Sequence, residues 1–241
     1  MDATTWDERY RAREMLWSRG PNVFVESRLA DREPGVGLDL ASGEGRNAIW
    51  LAERGWDMTA VDFSSVAVER GRKMSDQVEF IVADVFEWEP DRVSRSPSAE
   101  AQGASRGGVD EGNSNLSSES SRGDEGNSNL SSEGTRGFDL VLIAYLHVDA
   151  DRLRNLIEKT GGWLRPGGEL FLVGHDVSNI AEGVGGPQVP EVLWEVDPIL
   201  EWIRGLELVE GGVVDRPVEV DGDVRYARDT LIRARAPATV S

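Results

Sequence analysis

Short apolar runs alternate with amphipathic stretches along most of the chain. Runs rich in Val, Leu, Ile and Phe predict strands at residues 36–40, 58–61, 78–82, 138–146 and 169–173. Apolar residues at helical spacing predict helices at 7–17, just after Pro21, and at 46–54, 65–74 and 151–163, with RPGG at 165–168 as a turn. Residues 206–214 and 226–235 are expected to form a closing strand pair. Together these elements predict an α/β fold: a doubly wound, seven-stranded, mostly parallel sheet with a C-terminal antiparallel strand.

Residues 91–136 interrupt the alternation with Ser, Gly, Glu, Asn and Arg and with almost no apolar side chains. The decapeptide DEGNSNLSSE occurs there twice, at 110–119 and at 124–133. Such a segment cannot bury enough apolar surface to offset its ordering entropy. We therefore expect a disordered insertion in one domain formed by residues 1–90 and 137–236; the alternative is a loop that binds a partner or covers the substrate.

Composition excludes several classes of function. A formal net charge of −18 repels phosphate backbones, so no nucleic-acid partner is expected. No apolar run approaches the roughly 20 residues of a membrane-spanning helix, and the N-terminal sequence has no signal-peptide character. We therefore expect a cytoplasmic monomer or homodimer without a membrane role. With no cysteine and two histidines, no metal site is predicted.

The stretch VGLDLASGEGRNAIWLAERG, residues 36–55, places a glycine turn between a predicted strand and a predicted helix. Gly43, Gly45 and Ala48 fit the pattern G-x-G-x-x-G/A, in which glycines let the backbone approach a nucleotide closely. Asp62 ends the next strand about 20 residues later, a spacing that suits hydrogen bonds to ribose hydroxyls. This pattern is shared by nicotinamide-dependent dehydrogenases and S-adenosylmethionine enzymes.

Three features favour the second class. Asp39 lies just before the turn and Glu44 lies between its glycines; two carboxylates would repel a pyrophosphate but attract a sulfonium and an ammonium group. Asp84 ends the third predicted strand, where it could accept a hydrogen bond from an adenine amino group. The chain also closes with a strand pair rather than with a second nucleotide-binding half. The alternatives without a ligand are that Asp39 is a structural carboxylate, that Asp62 caps a helix and that Asp84 belongs to a turn.

At this point a family resemblance is plain. LDLASGEGRNAIWLAERGWDMTAVDFS resembles the first two motifs of the class I S-adenosylmethionine-dependent methyltransferases, which have a Rossmann-like fold. FIVADVFEW resembles their third motif, FDLVLIAYLH the fourth, and LRPGGELFLVGHD their fifth-strand signature. Within the superfamily the chain resembles the tellurite-resistance and thiopurine-type small-molecule methyltransferases. WDERYR and LWSRGPNVFV, within residues 1–35, are similar to the helices that those proteins fold over the cofactor.

The resemblance implies S-adenosyl-L-methionine as cofactor and assigns its parts to named positions. The methionine end would lie near Asp39, Gly43, Gly45, Arg46 and Asn47, with Asp39 holding the ammonium group. The ribose and adenine would contact a second set of residues: Asp62, Phe63, Asp84 and Val85. The remaining implied cofactor contacts are Ala144 beside the methyl group, together with Trp17, Ala41 and Ser64.

The predicted reaction is in-line methyl transfer to a small-molecule acceptor. Tyr145, His147 and His175 follow the fourth and fifth strands and are the catalytic candidates; a structural role is the alternative for both histidines. Because few residues are candidates for a base, a soft or already anionic acceptor is favoured, such as a thiol or a selenium, tellurium or other metalloid species. The loop at 183–190 is a candidate roof for the acceptor. The alternative functions are a non-catalytic S-adenosylmethionine-binding sensor or partner module and an NAD-dependent dehydrogenase.

Overall fold

The computed structural model describes residues 6–7, 11, 20–91 and 137–238. Within these ranges the strands are β1 Val36–Leu40, β2 Asp57–Asp62, β3 Val78–Val82, β4 Phe138–Ala144, β5 Leu164–His175, β6 Glu207–Val220 and β7 Asp223–Arg235. The helices are α1 Val23–Leu29, α2 Arg46–Ala52, α3 Ser65–Met74, α4 Ala150–Gly161, α5 Asn179–Glu182 and α6 Val196–Trp202, with a 3₁₀ turn at Pro190–Val192.

The seven strands form one sheet in the order β3-β2-β1-β4-β5-β7-β6. Strands β1 to β5 pair in parallel. Strand β7 lies between β5 and β6 and is antiparallel to both, so it is the one reversed strand of the described sheet. The predicted fold class, a mostly parallel seven-stranded α/β sheet closed by an antiparallel strand, is confirmed.

Local capping signals set the ends of the helices beside the site. Helix α3 begins after Ser64, whose side chain accepts a hydrogen bond from the Ala67 N–H group. Helix α2 ends in a Schellman motif, in which Gly55 donates to Ala52 and Trp56 donates to Leu51. Gly55 has φ of 91°, which a residue without a side chain adopts at little cost.

The core has two layers because successive strand residues point to opposite faces of the sheet. Leu140 and Leu142 of β4 belong to a core cluster with α1, α2 and α3, to which Phe171 of β5 and Leu231 of β7 also contribute. The intervening β4 residues face the other side of the sheet, and α4 packs against β5. Within the described ranges, no helix is both long enough and apolar enough to cross a membrane.

The structure departs from the sequence predictions in two elements and leaves two other predictions outside its described ranges. The prediction of RPGG as a turn before the strand is wrong: residues 165–168 lie inside β5, at an irregularity where the pairing with β4 shifts register and Gly167 has a φ of 77°. Helix α6 was not predicted from the sequence. The predicted helix at 7–17 and the predicted disorder of the insertion fall almost wholly outside the described residues.

Candidate active site

The carboxyl ends of strands β1 to β4 border a cleft of about 1050 Å³. The strand order reverses between β1 and β4, and in doubly wound sheets ligands bind at such a point. Twelve of the predicted site residues line this cleft: Asp39, Ala41, Gly43, Arg46, Asn47, Asp62, Phe63, Asp84, Val85, Ala144, Tyr145 and His147.

The turn between β1 and α2 has left-handed backbone at Ala41, Gly43 and Gly45, with φ of 54°, 59° and 77°. This conformation costs a residue with a side chain roughly 1–2 kcal/mol, so Ala41 is a strained position. A Cβ atom at Gly45 would lie 2.5 Å from the Phe80 ring, which makes glycine necessary there. Gly45 is therefore a packing position and, unlike Gly43, does not line the cleft.

Asp62 ties the glycine turn to the turn after β2. Its Oδ2 accepts a hydrogen bond from the Gly43 N–H group, and its Oδ1 accepts one from the Ser64 N–H group, each at 2.8 Å. Burial raises the pKa of Asp62, although these two backbone donors act in the opposite direction. Because Ser64 is the N-cap of α3 and does not line the cleft, the capping role belongs to Ser64, and the Asp62 carboxylate borders the cleft.

Asp39 is the most unusual charged group of the cleft. It is 1% exposed, and among the described residues neither of its carboxylate oxygens has a hydrogen-bond partner of good geometry. Burial raises its pKa from 3.8 to about 7, while the nearby Ala48 N–H group and Arg46 lower it in part. A buried polar group without a partner is costly unless something completes it.

The sequence interpretation gave Glu44, the second carboxylate of the glycine turn, a role in attracting a positively charged ligand, but the structure gives it a partner within the protein. Glu44 forms an ion pair with Arg70 of α3 at 2.9 Å, so its charge is matched within the protein. The attraction of the turn for a cation therefore depends on Asp39. Asn47 also has a structural bond, because its Oδ1 accepts from the Asn22 backbone N–H group at 2.9 Å and fixes the start of α1.

Asp84 begins the turn that follows β3 and lines the cleft together with Val85. Its Oδ1 accepts from the Phe86 N–H group at 3.0 Å, so the turn alternative for Asp84 is correct as a structural role. Its Oδ2 lies 4.0 Å from the Arg152 guanidinium, which stacks over the Phe86 ring. Phe63, after β2, is half-buried at the same cleft.

The three catalytic candidates converge where β4 and β5 end. The Tyr145 ring centroid lies 4.8 Å from that of His175, and the His147 and His175 rings are parallel at 5.6 Å. His175 lines a smaller adjoining cavity of about 260 Å³, and Tyr145 lines both cavities. The loop at 183–190 reaches this point, since a Cβ atom at Gly186 would lie 3.0 Å from the His175 ring.

Sequence reasoning missed three residues that meet this cluster. Asn22 donates to the Tyr145 hydroxyl at 3.0 Å, and Arg216 and Asp229 extend the contacts through strands β6 and β7. The available signal was a single acidic residue, Asp229, inside the predicted strand at 226–235. Trp17, the remaining predicted cofactor contact, lies outside the described residues.

Comparison with known proteins agrees with this geometry. Residues 38–95, from β1 past the third strand, match the family model of a methyltransferase domain. No curated protein sequence matches the chain.

Solved structures give the same fold. A structure concerned with the conversion of a disulfide bond into a thioacetal group during echinomycin biosynthesis is 18% identical at a TM-score of 0.64, covering 99% of this chain and 94% of that one. The N-methyltransferase NodS from Bradyrhizobium japonicum, in complex with S-adenosylhomocysteine, is 16% identical at 0.60, covering 98% and 100%. TehB from Haemophilus influenzae is 13% identical at 0.59, and the match covers 90% of this chain but 62% of TehB.

The sheet order and the glycine turn after β1 define a Rossmann-like fold, in which residues 38–95 match a methyltransferase domain. This match agrees with the resemblance of the sequence motifs to the class I S-adenosylmethionine-dependent methyltransferases.

Proposed function

We propose that the protein methylates a small molecule, with the donor held in the large cleft and the acceptor bound at the adjoining cavity beside Tyr145 and His175. The observation that carries this proposal is Asp39. Its buried carboxylate, with no well-formed hydrogen bond among the described residues, borders the cleft and is suited to the ammonium group of a methionine moiety. The cleft volume of about 1050 Å³ is ample for a nucleoside with an amino-acid tail.

The assignment of residues to the donor follows their positions around the cleft. Asp62 keeps acceptor capacity beyond its two backbone bonds, because each carboxylate oxygen has further lone pairs, and it would bind the ribose hydroxyls. Phe63 and Val85 would contact the adenine faces, with Asp84 at its polar edge. Ala41, Gly43 and Arg46 would surround the methionine end, and Ala144 would lie beside the methyl group.

Once bound, S-adenosylmethionine supplies an electrophilic methyl group on a sulfonium. The protein contributes positioning: the strained turn and the ends of β4 and β5 fix where an acceptor can lie relative to the donor. Holding two reactants aligned at about 3–3.5 Å can account for roughly 7–11 kcal/mol of the barrier.

The acceptor is proposed to be small because the cavity beside His175 has a volume of about 260 Å³. A soft nucleophile is consistent with the structural neighbour concerned with the conversion of a disulfide bond into a thioacetal group, and with the resemblance of the sequence to tellurite-resistance and thiopurine-type methyltransferases. A thiol is therefore proposed as the first acceptor to test, ahead of selenium and tellurium species.

Calorimetric titration with S-adenosylhomocysteine tests the donor site. Wild-type protein is expected to bind with Kd in the micromolar range, about −8 kcal/mol, and NADH is expected not to bind. Asp62→Ala should weaken binding by roughly 1.5–3 kcal/mol, the range for hydrogen bonds to a charged group. Asp57→Ala is the matched control, because Asp57 is an exposed residue at the opposite end of the same strand. Equal affinities in the two variants would remove the ribose role of Asp62.

A further inference from the structure

Strand β7 places a fully buried carboxylate, Asp229, beside the proposed acceptor cavity. It accepts hydrogen bonds from Tyr145 Oη at 2.6 Å and from Arg216 Nε at 2.7 Å, both on Oδ2. His175 Nδ1 lies 3.0 Å from Oδ1, so three side chains from three strand segments meet on one carboxylate. Asp229 and His175 are direct cross-strand neighbours of β7 and β5.

The contacts fix the charge state of these groups. Burial opposes ionisation of Asp229, but hydrogen bonds from His175, Arg216 and Tyr145 hold the pKa of this carboxyl below its ordinary value. Burial, followed by the charge of Asp229, raises the pKa of the Tyr145 hydroxyl above its usual range. Tyr145 therefore stays protonated and donates to Asp229. It is unsuited to act as a base, and it serves instead to line the cavity and to hold Asp229 in position.

An ionised carboxylate against Nδ1 also selects the form of the imidazole. Nδ1 carries the proton and donates it to Asp229, so in neutral His175 the lone pair resides on Nε2. Among the described residues the hydrogen bonds of His175 use Nδ1 alone, and the ring lines the smaller cavity. A histidine held in this way by a buried aspartate is an established arrangement for a general base.

We propose that His175 is the general base of the reaction, that Asp229 is its positioning residue, and that the acceptor carries a protonated aromatic hydroxyl or thiol. This inference rests on the proposed function and narrows its acceptor class. An anionic selenium or tellurium species needs no base, so for such an acceptor the buried Asp229 cluster would have no chemical purpose. From the sequence, few groups were expected to act as a base, because the contact between Asp229 and His175 could not be seen there.

The proton balance of the step is simple. The X–H bond of the acceptor breaks, its proton moves to His175 Nε2, and the electron pair that stays on X forms the new bond to the methyl carbon. The pair of the broken carbon–sulfur bond leaves with sulfur. The imidazolium, stabilised by the ionised Asp229, then releases its proton to water.

Nitrogen-15 NMR of the imidazole groups tests the arrangement independently of turnover. The protein has two histidines, so His147→Gln assigns both sets of signals. Neutral His175 is expected to carry its proton on Nδ1, and Asp229→Asn is expected to abolish that preference. A neutral His175 with its proton on Nε2 would overturn the proposal whatever acceptor is used.

Kinetics test the chemical role with catechol and 2-mercaptoethanol as protonated acceptors and selenite as an ionised one. His175→Ala should lower kcat at pH 7 by roughly 10²-fold for catechol or the thiol. The deficit should shrink as the pH rises toward the pKa of the acceptor, and added imidazole should restore part of the activity. A loss that is independent of pH and insensitive to imidazole would mean that His175 is structural.

Glu169→Gln is the matched control for Asp229→Asn. Glu169 is also a fully buried carboxylate paired with arginines, and it lies at the other end of the same β5–β7 pairing. The Glu169→Gln variant should have lower stability but an unchanged pH profile of kcat, whereas Asp229→Asn should change that profile. S-adenosylhomocysteine affinity should be unaltered in His175→Ala. If S-adenosylhomocysteine does not bind to the wild type, the proposed function is refuted. If it binds normally but His175→Ala leaves kcat unchanged, only the role of His175 as a base is refuted.

Discussion

Replacing Asp39 with asparagine should make the ligand-free protein more stable at neutral and alkaline pH. Asp39 is 1% exposed, and no described residue forms a good hydrogen bond with its oxygens. Its ionised form is disfavoured by burial, which raises the pKa to about 7. Asparagine has the same size and shape but carries no charge, so the variant removes the cost of ionisation and little else.

The size of the effect follows from the pKa difference between the folded and the unfolded chain. Because the folded pKa of Asp39 is the higher one, its contribution to stability is fully present below 3.8 and is lost as the pH rises to about 7. Each pKa unit corresponds to about 1.36 kcal/mol. Between pH 5.5 and pH 8 the wild type should therefore lose about 2 kcal/mol relative to Asp39→Asn.

Urea denaturation at pH 5.5 and pH 8 measures this difference directly. Asp223→Asn is the control, since Asp223 is exposed where β6 and β7 meet and its replacement removes a surface charge. The reasoning is refuted if the stability gap between wild type and Asp39→Asn changes by less than about 0.5 kcal/mol between the two pH values, against the 2 kcal/mol expected. The same variant should bind S-adenosylhomocysteine more weakly at pH 8, because it lacks the charge proposed to hold the ammonium group.

Three further predictions concern stability. Gly45→Ala should cost at least about 1–2 kcal/mol in urea denaturation, because φ of 77° and the Phe80 ring both oppose a side chain; an unchanged midpoint would contradict the turn geometry. Glu169→Ala should cost roughly 3–5 kcal/mol, because it leaves Arg32, Arg233 and Arg235 without their shared carboxylate; a loss below 1 kcal/mol would mean that water replaces it readily. Replacing residues 91–136 with a short Gly/Ser linker should leave Tm nearly unchanged, since the segment is proposed to be a dispensable insertion; a large fall in Tm would show that it packs as structure.

Elements with strong local signals could be predicted closely from the sequence. The strand at Val36–Leu40 and the helix at Ser65–Met74 agree with the structure residue for residue. The helix begins at a serine cap, and the strand is a short run that is apolar except for Asp39, so both are recognisable from neighbouring residues alone. The cleft was also predictable, because parallel strands must bring their carboxyl ends to one edge.

The features that could not be predicted from the sequence depend mainly on contacts between distant parts of the chain. Tyr145 and Asp229 are 84 positions apart, and their meeting requires the register of β7 against β5. Helix α6 escaped detection because it contains a proline and buries only Ile199, too little for a helical pattern. The ion pair of Glu44 with Arg70 likewise joins the glycine turn to the middle of α3, two segments that the sequence pattern treats separately.

The position of β7 between β5 and β6 also affects the order in which the protein can assemble during synthesis. The glycine turn, Asp62 and the end of β4 are all made before residue 146, so this part of the cleft can form early. Asp229 is synthesised 84 residues after Tyr145 and must enter the sheet beside β5, a strand that is already paired with β4 on its other side. A nascent chain that has reached β5 therefore contains the glycine turn and Asp62 before His175 can meet Asp229.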